Sequence, residues 1–349
     1  MLSIFAASTN QQPVFLASNV VQETTGIAVP VADPNDPVEK AYQQLLADDD
    51  AAQAEIDGWI RNNQAFVDQG GVPNAELNRR ILARLKPVGQ EYVNFIAAHP
   101  DHARARIAYG SFLNDMQDED GAHDQWEKAC ALDPKIPAGW NNLANYYGEH
   151  GPITNAFADY QKAIDLDPLE SVYYHNFGTT VYLYRKDAEE YFHITEPEVF
   201  DKALALYSKA LQLDPQDFPL ASDIAQTYYG IKPLRVDDAL DAWTNALKLT
   251  HDEVEREGVY LHFARIKIAA GRYDEVQDNL DAVTNAMYDG LKKRLQRNLN
   301  KALKQENDEL ETNGVELIET NESQAAPRDN LPLHGPSIPI PPGTPVEGK

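Results

Sequence analysis

The triplet Leu-Asp-Pro closes at Pro134, at Pro168 and at Pro215, and 34 residues separate Pro134 from Pro168, as they separate Pro100 from Pro134. A spacing held in this way marks a chain that stacks one structural unit several times, and it overrides any estimate of domain number from length. Between the prolines, landmarks recur in register. Trp140, Leu143, Ala144, Tyr147, Ala156, Tyr160 and Ala163 repeat the order of Tyr109, Gly110, Leu113, Ala122, Trp126 and Ala129. Spacings of three and four put the large residues on one face of a helix. Proline cannot continue a helix, so each triplet predicts the end of a second helix, while Pro137 and Pro219 suit the first turn of the next. Small residues in both helices, Ala144 with Ala156 and Gly110 with Ala122, allow the two to approach closely.

Three further units follow the same order. The third runs from Tyr174, Phe177 and Gly178 to Ala203, Tyr207, Ala210 and Pro215, with a period of 47 rather than 34, so 13 residues are inserted between its helices. Thr195, with Pro197 and Glu198 behind it, predicts a capping box. The expectation is that both helices are lengthened into a hairpin projecting roughly 10 Å. A fourth unit reads Ile224, Ala225, Tyr228, Ala239, Trp243 and Ala246. A fifth reads Tyr260, Phe263, Ala264, Gly271, Tyr273, Val276, Leu280 and Val283.

These motifs resemble the tetratricopeptide repeat, and the resemblance covers about residues 101–288. It implies an all-α fold, a right-handed superhelical solenoid lined on its concave side by the first helix of each repeat. Residues 37–100 read as N-terminal helices forming a degenerate repeat. Leu291, Leu295, Leu299 and Leu303, with lysines and arginines between them, predict a capping helix over 289–310. Residues 1–36 and the acidic, then Pro-rich, tail at 311–349 read as disordered termini. The acidic start of that tail could fold back on the basic helix.

Composition excludes several function classes. A formal net charge of −25 argues against nucleic acid or an anionic membrane and makes cationic partners the natural guests. The single cysteine, Cys130, makes neither an intrachain disulfide nor a zinc cluster, and reads as a small core residue. No apolar run reaches the roughly 18–20 residues of a spanning helix. The cytoplasm is favoured, with export as the alternative if the apolar start "MLSIFAAS" is the remnant of a signal cut by a misplaced start codon.

No phosphate loop, zinc-protease motif, nucleophile elbow or dinucleotide fingerprint is present, so the chain reads as a non-enzymatic scaffold without cofactor or metal. His175 and His193, with Glu189, Glu190 and Glu196, are the one place where a metal could be imagined, against the ordinary reading of solvated surface. By family register, the partner-binding candidates are Asn141, Asn145, His175, Asn176, Thr179, Tyr182, Gln226, Tyr229 and Arg265. Asn145 with Asn176 resembles the asparagine pair with which some family members hold a peptide carboxylate, but Ile107 and Asp223 stand where those members carry cations. The implied ligand is a peptide or a partner helix in the concave groove. The alternative is an accessory subunit that organises an assembly through its hairpin or convex face, with its own tail in the groove. Tyr182, Tyr184, Tyr191 and Phe192 either dock a partner or pack the inserted hairpin.

Overall fold

The computed structural model describes residues 36–67 and 74–322. Fourteen α-helices, and no strand, occur among the described residues. They fall into two compact units divided between Arg235 and Val236. That division cuts the expected fourth repeat between its two helices. None of the described helices is long and apolar enough to cross a membrane.

Unit 1 opens with the antiparallel pair α1 (Pro37–Val67) and α2 (Asn74–Ala98). Leu45, Ala52 and Ile56 on one helix and Leu85, Val88 and Tyr92 on the other recur at helical spacing and are buried together with Phe112. Then come the pairs α3 (Ala103–Asp115) with α4 (Glu119–Leu132) and α5 (Pro137–His150) with α6 (Ile153–Leu166). α7 (Ser171–Leu183) pairs with α9 (Glu196–Leu213), and α10 (Phe218–Thr227) ends in a 3-10 turn at Tyr228–Gly230. Successive pairs stack side by side as a solenoid.

The small landmarks do what their size predicts. Ala144, Ala156, Ala163, Ala203 and Ala210 are fully buried. A Cβ at Gly110 would overlap the Trp126 indole, and one at Gly178 would lie 3.0 Å from the Tyr207 ring and 3.3 Å from the Ala203 carbonyl oxygen. The glycines therefore face the bulky landmark of the second helix, and Gly178 its small landmark as well.

Each Leu-Asp-Pro triplet ends its helix by one mechanism. The residue before a proline is driven to extended backbone, and Asp133 and Asp167 sit at φ −137° and φ −140°. Their carboxylates then accept from the backbone N–H two residues on, Lys135 at 3.0 Å and Leu169 at 3.1 Å, and Asp214 does the same for Gln216.

The insertion differs from the expected long hairpin. α9 is lengthened as expected, to 18 residues against 14 in α4 and α6, but α7 keeps 13, and the rest of the added chain forms a separate eight-residue helix, α8 (Arg185–Phe192), closed by His193 in the left-handed conformation at φ 55°. Tyr184, Ala188 and Phe192 recur every four residues and give α8 an apolar stripe. Folding back buries it: Ala188 is fully buried, and Phe192 lies 5.3 Å from the Phe157 ring and 6.2 Å from Phe177. The capping box stands as expected, with Thr195 N–H donating to Glu198 Oε2 at 2.8 Å.

Unit 2 holds α11 (Val236–Lys248), α12 (Glu253–Ala269), the short α13 (Val276–Asp281) and α14 (Asp289–Glu322). Leu261, Ala264, Val276, Leu280, Val283, Leu295 and Leu299 form its core, flanked by Leu291 and Leu303, so the leucine stripe caps the unit as predicted. Buried Glu257 accepts from the Thr284 hydroxyl at 2.8 Å and the Asn285 N–H at 2.7 Å, which holds the turn before α14. α14 does not stop at residue 310 but continues to Glu322. Basic and acidic segments thus share one helix, and along a helix of 1.5 Å rise the acidic part leads away from the basic part instead of folding back on it. Residues 1–35 and 323–349, expected to be disordered, lie outside the described residues.

Candidate functional site

The first helices of successive pairs, α3, α5 and α7, touch one another, and α10 joins them through His175, whose Nε2 lies 2.9 Å from Asp223 Oδ2. Eight of the nine candidate residues stand on this row of helices or in the turn after it. Arg265 lies on α12 of unit 2, where it is exposed.

A relay of side-chain amides crosses the row. Asn176 Nδ2 on α7 donates to Asn141 Oδ1 on α5 at 3.2 Å, Asn141 donates to Asn142 at 3.4 Å, and Asn142 donates to Ser111 Oγ on α3 at 3.3 Å. Asn141 is only 6% exposed. A buried amide needs such partners, because an unmet donor or acceptor costs about 1–3 kcal/mol. The Asn176 amide is thus engaged by Asn141.

Asn145 has a different partner. Tyr160 of α6, fully buried, donates its hydroxyl to Asn145 Oδ1 at 2.7 Å, leaving the Asn145 amide NH2 without a partner among the described residues. The Thr180 hydroxyl lies 3.2 Å from the Tyr160 oxygen and 3.0 Å from the Asn176 carbonyl oxygen. One repeat on, Tyr207 of α9 donates to Thr179 Oγ1 at 3.0 Å and stands edge-on to the His175 ring at 5.8 Å. Burial pushes both phenols well above their ordinary range, so they remain donors. Tyr160 and Tyr207 hold the same landmark position in their repeats, and Ser111, Asn142 and Thr180 complete the network. Sequence reasoning reads these tyrosines as packing residues only. The signal for more is a hydroxyl at a landmark that Trp126 fills in the preceding repeat.

Tyr182 packs against Phe200 at 6.1 Å, and the Arg185 guanidinium lies 5.3 Å above its ring. Gln226 is exposed and donates to Ser222 Oγ at 3.2 Å, and Tyr229 is half-buried in the 3-10 turn. On α5, α7 and α10 the candidate side chains are amides, hydroxyls and one histidine, and the carboxylate that reaches them, Asp223, is engaged by His175.

Two other expectations resolve away from this face. Among the described residues, the group of three metal-ligand side chains that converges is His123, Asp124 and Glu127 on α4, with ligand atoms within 4.8 Å of one another. His175 and His193 are not gathered with Glu189, Glu190 and Glu196, since His175 turns to Asp223 while His193 closes α8. Cys130 is buried with its thiol pushed up to about 12 by burial and by Asp159, the opposite of what a nucleophile needs.

Residues 137–168, the pair α5–α6, match the sequence model of the tetratricopeptide repeat. No curated protein sequence matches the chain. Solved structures similar to it include YrrB, described as a tetratricopeptide-repeat protein with an unusual peptide-binding site, at 14% identity, 59% of this chain, 97% of that chain and TM-score 0.46. PilW, a type IV pilus biogenesis factor, is similar at 13% identity, 69% of this chain, 98% of that chain and TM-score 0.48. A thermophilic tetratricopeptide-repeat protein of Thermus thermophilus is similar at 20% identity, 58% of this chain, 98% of that chain and TM-score 0.39. Residues 137–168 are thus one tetratricopeptide repeat, and the pairs α3–α4 and α7–α9 beside it are built on the same landmarks.

Proposed function

We propose that the chain is a non-enzymatic scaffold that binds an extended peptide or a partner helix on the first-helix face of unit 1. The observation that carries this reading is the amide relay from Asn176 to Ser111. It fixes the side chains of α3, α5 and α7 in one arrangement before any ligand arrives and leaves the Asn145 NH2 and the Gln226 amide at the surface. A preformed polar surface loses little entropy on binding and recognises by hydrogen bonds.

The test is capture of partners from a lysate of the protein's own source, beside the double variant Asn145→Lys, Tyr182→Glu. A protein held by the parent and lost by the variant, with unchanged helical content by circular dichroism, supports this face as the site. Equal retention by both refutes it. A second reading, an assembly subunit that docks through α8, is favoured by Tyr191, which is 40% exposed while its ring stands edge-on to Phe192 at 4.9 Å. Loss of the partner on Tyr191→Ala alone would select it.

A further inference from the structure

Two features of the first-helix face are at odds with the rest of the chain. The protein carries a net charge of −25, yet α5, α7 and α10 hold no lysine or arginine, and their carboxylates are Glu149, at the end of α5, and Asp223, which is engaged by His175. An acidic ligand is repelled by the chain as a whole, and a cationic ligand finds its counter-charges elsewhere. What fits a face of amides and hydroxyls whose Asp223 is already engaged by His175 is an uncharged segment that can hydrogen-bond, because an unpaired charge buried there would find no partner.

Such a segment exists in the chain itself. Residues 1–22, "MLSIFAASTNQQPVFLASNVVQ", contain no Asp, Glu, Lys, Arg or His, and combine Ser, Thr, Asn and Gln with apolar residues. The described structure of unit 1 begins at Asp36, immediately before α1. Three residues on, Glu39 forms an ion pair with Arg104 at 3.0 Å, and Tyr42 donates its hydroxyl to the Arg104 carbonyl oxygen at 3.3 Å. Arg104 lies in the first turn of α3. The N-terminal segment therefore joins the molecule beside the first helix of the row. At about 3.3 Å per extended residue it reaches roughly 100 Å, whereas neighbouring helices lie about 8–10 Å apart, so α5, α7 and α10 are all within its range.

From the scarcity of charge on the face, the neutrality of the segment and the place where it joins, we propose that residues 1–22 occupy the first-helix face of unit 1 in the same chain. The proposal rests on the reading of that face as a peptide-binding surface and identifies its resident peptide. An outside partner then binds by displacing that segment.

The test uses the full chain with a benzophenone amino acid at Phe15, irradiated at low micromolar concentration as an equal mixture of light and nitrogen-15 chains, with adducts mapped by mass spectrometry. The expected adducts fall within 137–150, 171–183 or 218–230 and join light to light and heavy to heavy. Their yield is unchanged between low and high salt, since the segment carries no charged side chain. The yield drops several-fold with Gln226→Lys, an exposed position that does not hold the fold, and with Asn145→Lys. Adducts confined to other helices, mixed light–heavy adducts or a yield that collapses in salt overturn the proposal. Partner capture with the Asn145→Lys, Tyr182→Glu chain separates the two ideas. A partner lost with that variant while the Phe15 adducts lie elsewhere leaves the binding face intact and removes only its intramolecular occupant.

Discussion

His150 shows how a single side chain records its own protonation state in geometry. Its Nδ1 lies 3.0 Å from the Tyr146 carbonyl oxygen and its Nε2 2.7 Å from Glu119 Oε2, and both partners are acceptors. Only the imidazolium, with two N–H groups, satisfies both. Burial works against that charge, but the bonds to Tyr146 and Glu119 and the charges of Glu119 and Glu149 outweigh it and raise its pKa. A raised folded pKa means the stabilisation is complete below the unfolded value and is lost as pH rises through the folded one. Because the pair is partly exposed, its contribution is small. The stability difference between the parent and His150→Ala, measured by urea denaturation, is therefore expected to be largest near pH 6 and to vanish by about pH 8. A difference independent of pH would refute the clasp. The same scale shows what sequence makes legible. That Asn141, Asn145 and Asn176 share the first-helix face is what the resemblance to the tetratricopeptide repeat implies. Which of them meet does not follow from it: Asn141 rather than Asn145 pairs with Asn176, one helical turn away, because the match depends on the tilt and shift between α5 and α7. The hydroxyls of Tyr160 and Tyr207 were hidden for a similar reason, since a landmark aromatic reads as packing until its neighbour across the hairpin is known.

Whole elements were legible where one periodic pattern dominated. The repeat landmarks predicted the pairs α3–α4, α5–α6 and α7–α9, the capping box before α9 and the leucine stripe of α14. The insertion was legible as a count of residues but not as a conformation, because a long hairpin and a folded-back helix both satisfy the capping signal. Burial decides between them. Phe192 covers Phe157 and Phe177 under the Lys202 ammonium, 4.2 Å from its ring, whereas Tyr191, whose ring also lies 5.3 Å from Phe157, is 40% exposed. Phe192→Ala is expected to cost about 2–3 kcal/mol, below the 3–5 kcal/mol of a fully buried ring, and Tyr191→Ala about 1 kcal/mol less than that. Equal small effects in urea titrations would mean that α8 is held loosely and is free to serve as a docking element. Two helical glycines give the matching test of repeat packing. A Cβ added at Gly58 on α1 would meet nothing within 4 Å, so Gly58→Ala should stabilise by about 0.5–1 kcal/mol through helix propensity. Gly110 faces the Trp126 indole, and Gly110→Ala should destabilise by about 1–3 kcal/mol despite the same gain in propensity. Thermal melts of the two variants moving in the same direction would contradict the close approach of α3 and α4.

At the scale of the molecule, the two units carry opposite responses to acid. In unit 1, burial pushes Asp115 and Asp159 up to about 6, with Asp49 adding to the first and Lys162 opposing the second. A carboxyl with a raised folded pKa takes up its proton earlier in the folded state, so as pH falls through about 6 these two groups favour folding, as does His150. His102, lowered by burial and by Arg104, opposes them. Unit 2 holds a group that responds in the opposite sense. There His262 stacks on Trp243 at 3.9 Å and 11°, and burial, with Arg265, lowers it to about 4. Between its ordinary value and about 4, the unfolded chain binds a proton that the folded unit refuses, at a cost of about 3 kcal/mol once pH is below both. Glu257, lowered by its bonds to Asn285 and Thr284, adds to the loss at still lower pH. Acid should therefore open unit 2 first. Pulsed hydrogen exchange read peptide by peptide is expected to show α11 to α14 losing protection between about pH 6 and 4 while α3 to α9 retain theirs, and His262→Phe, which keeps the stack on Trp243 without a titrating group, should remove most of that loss. Loss of protection in both units together, or an unchanged profile in His262→Phe, would show that the buried imidazole does not set the acid limit of unit 2.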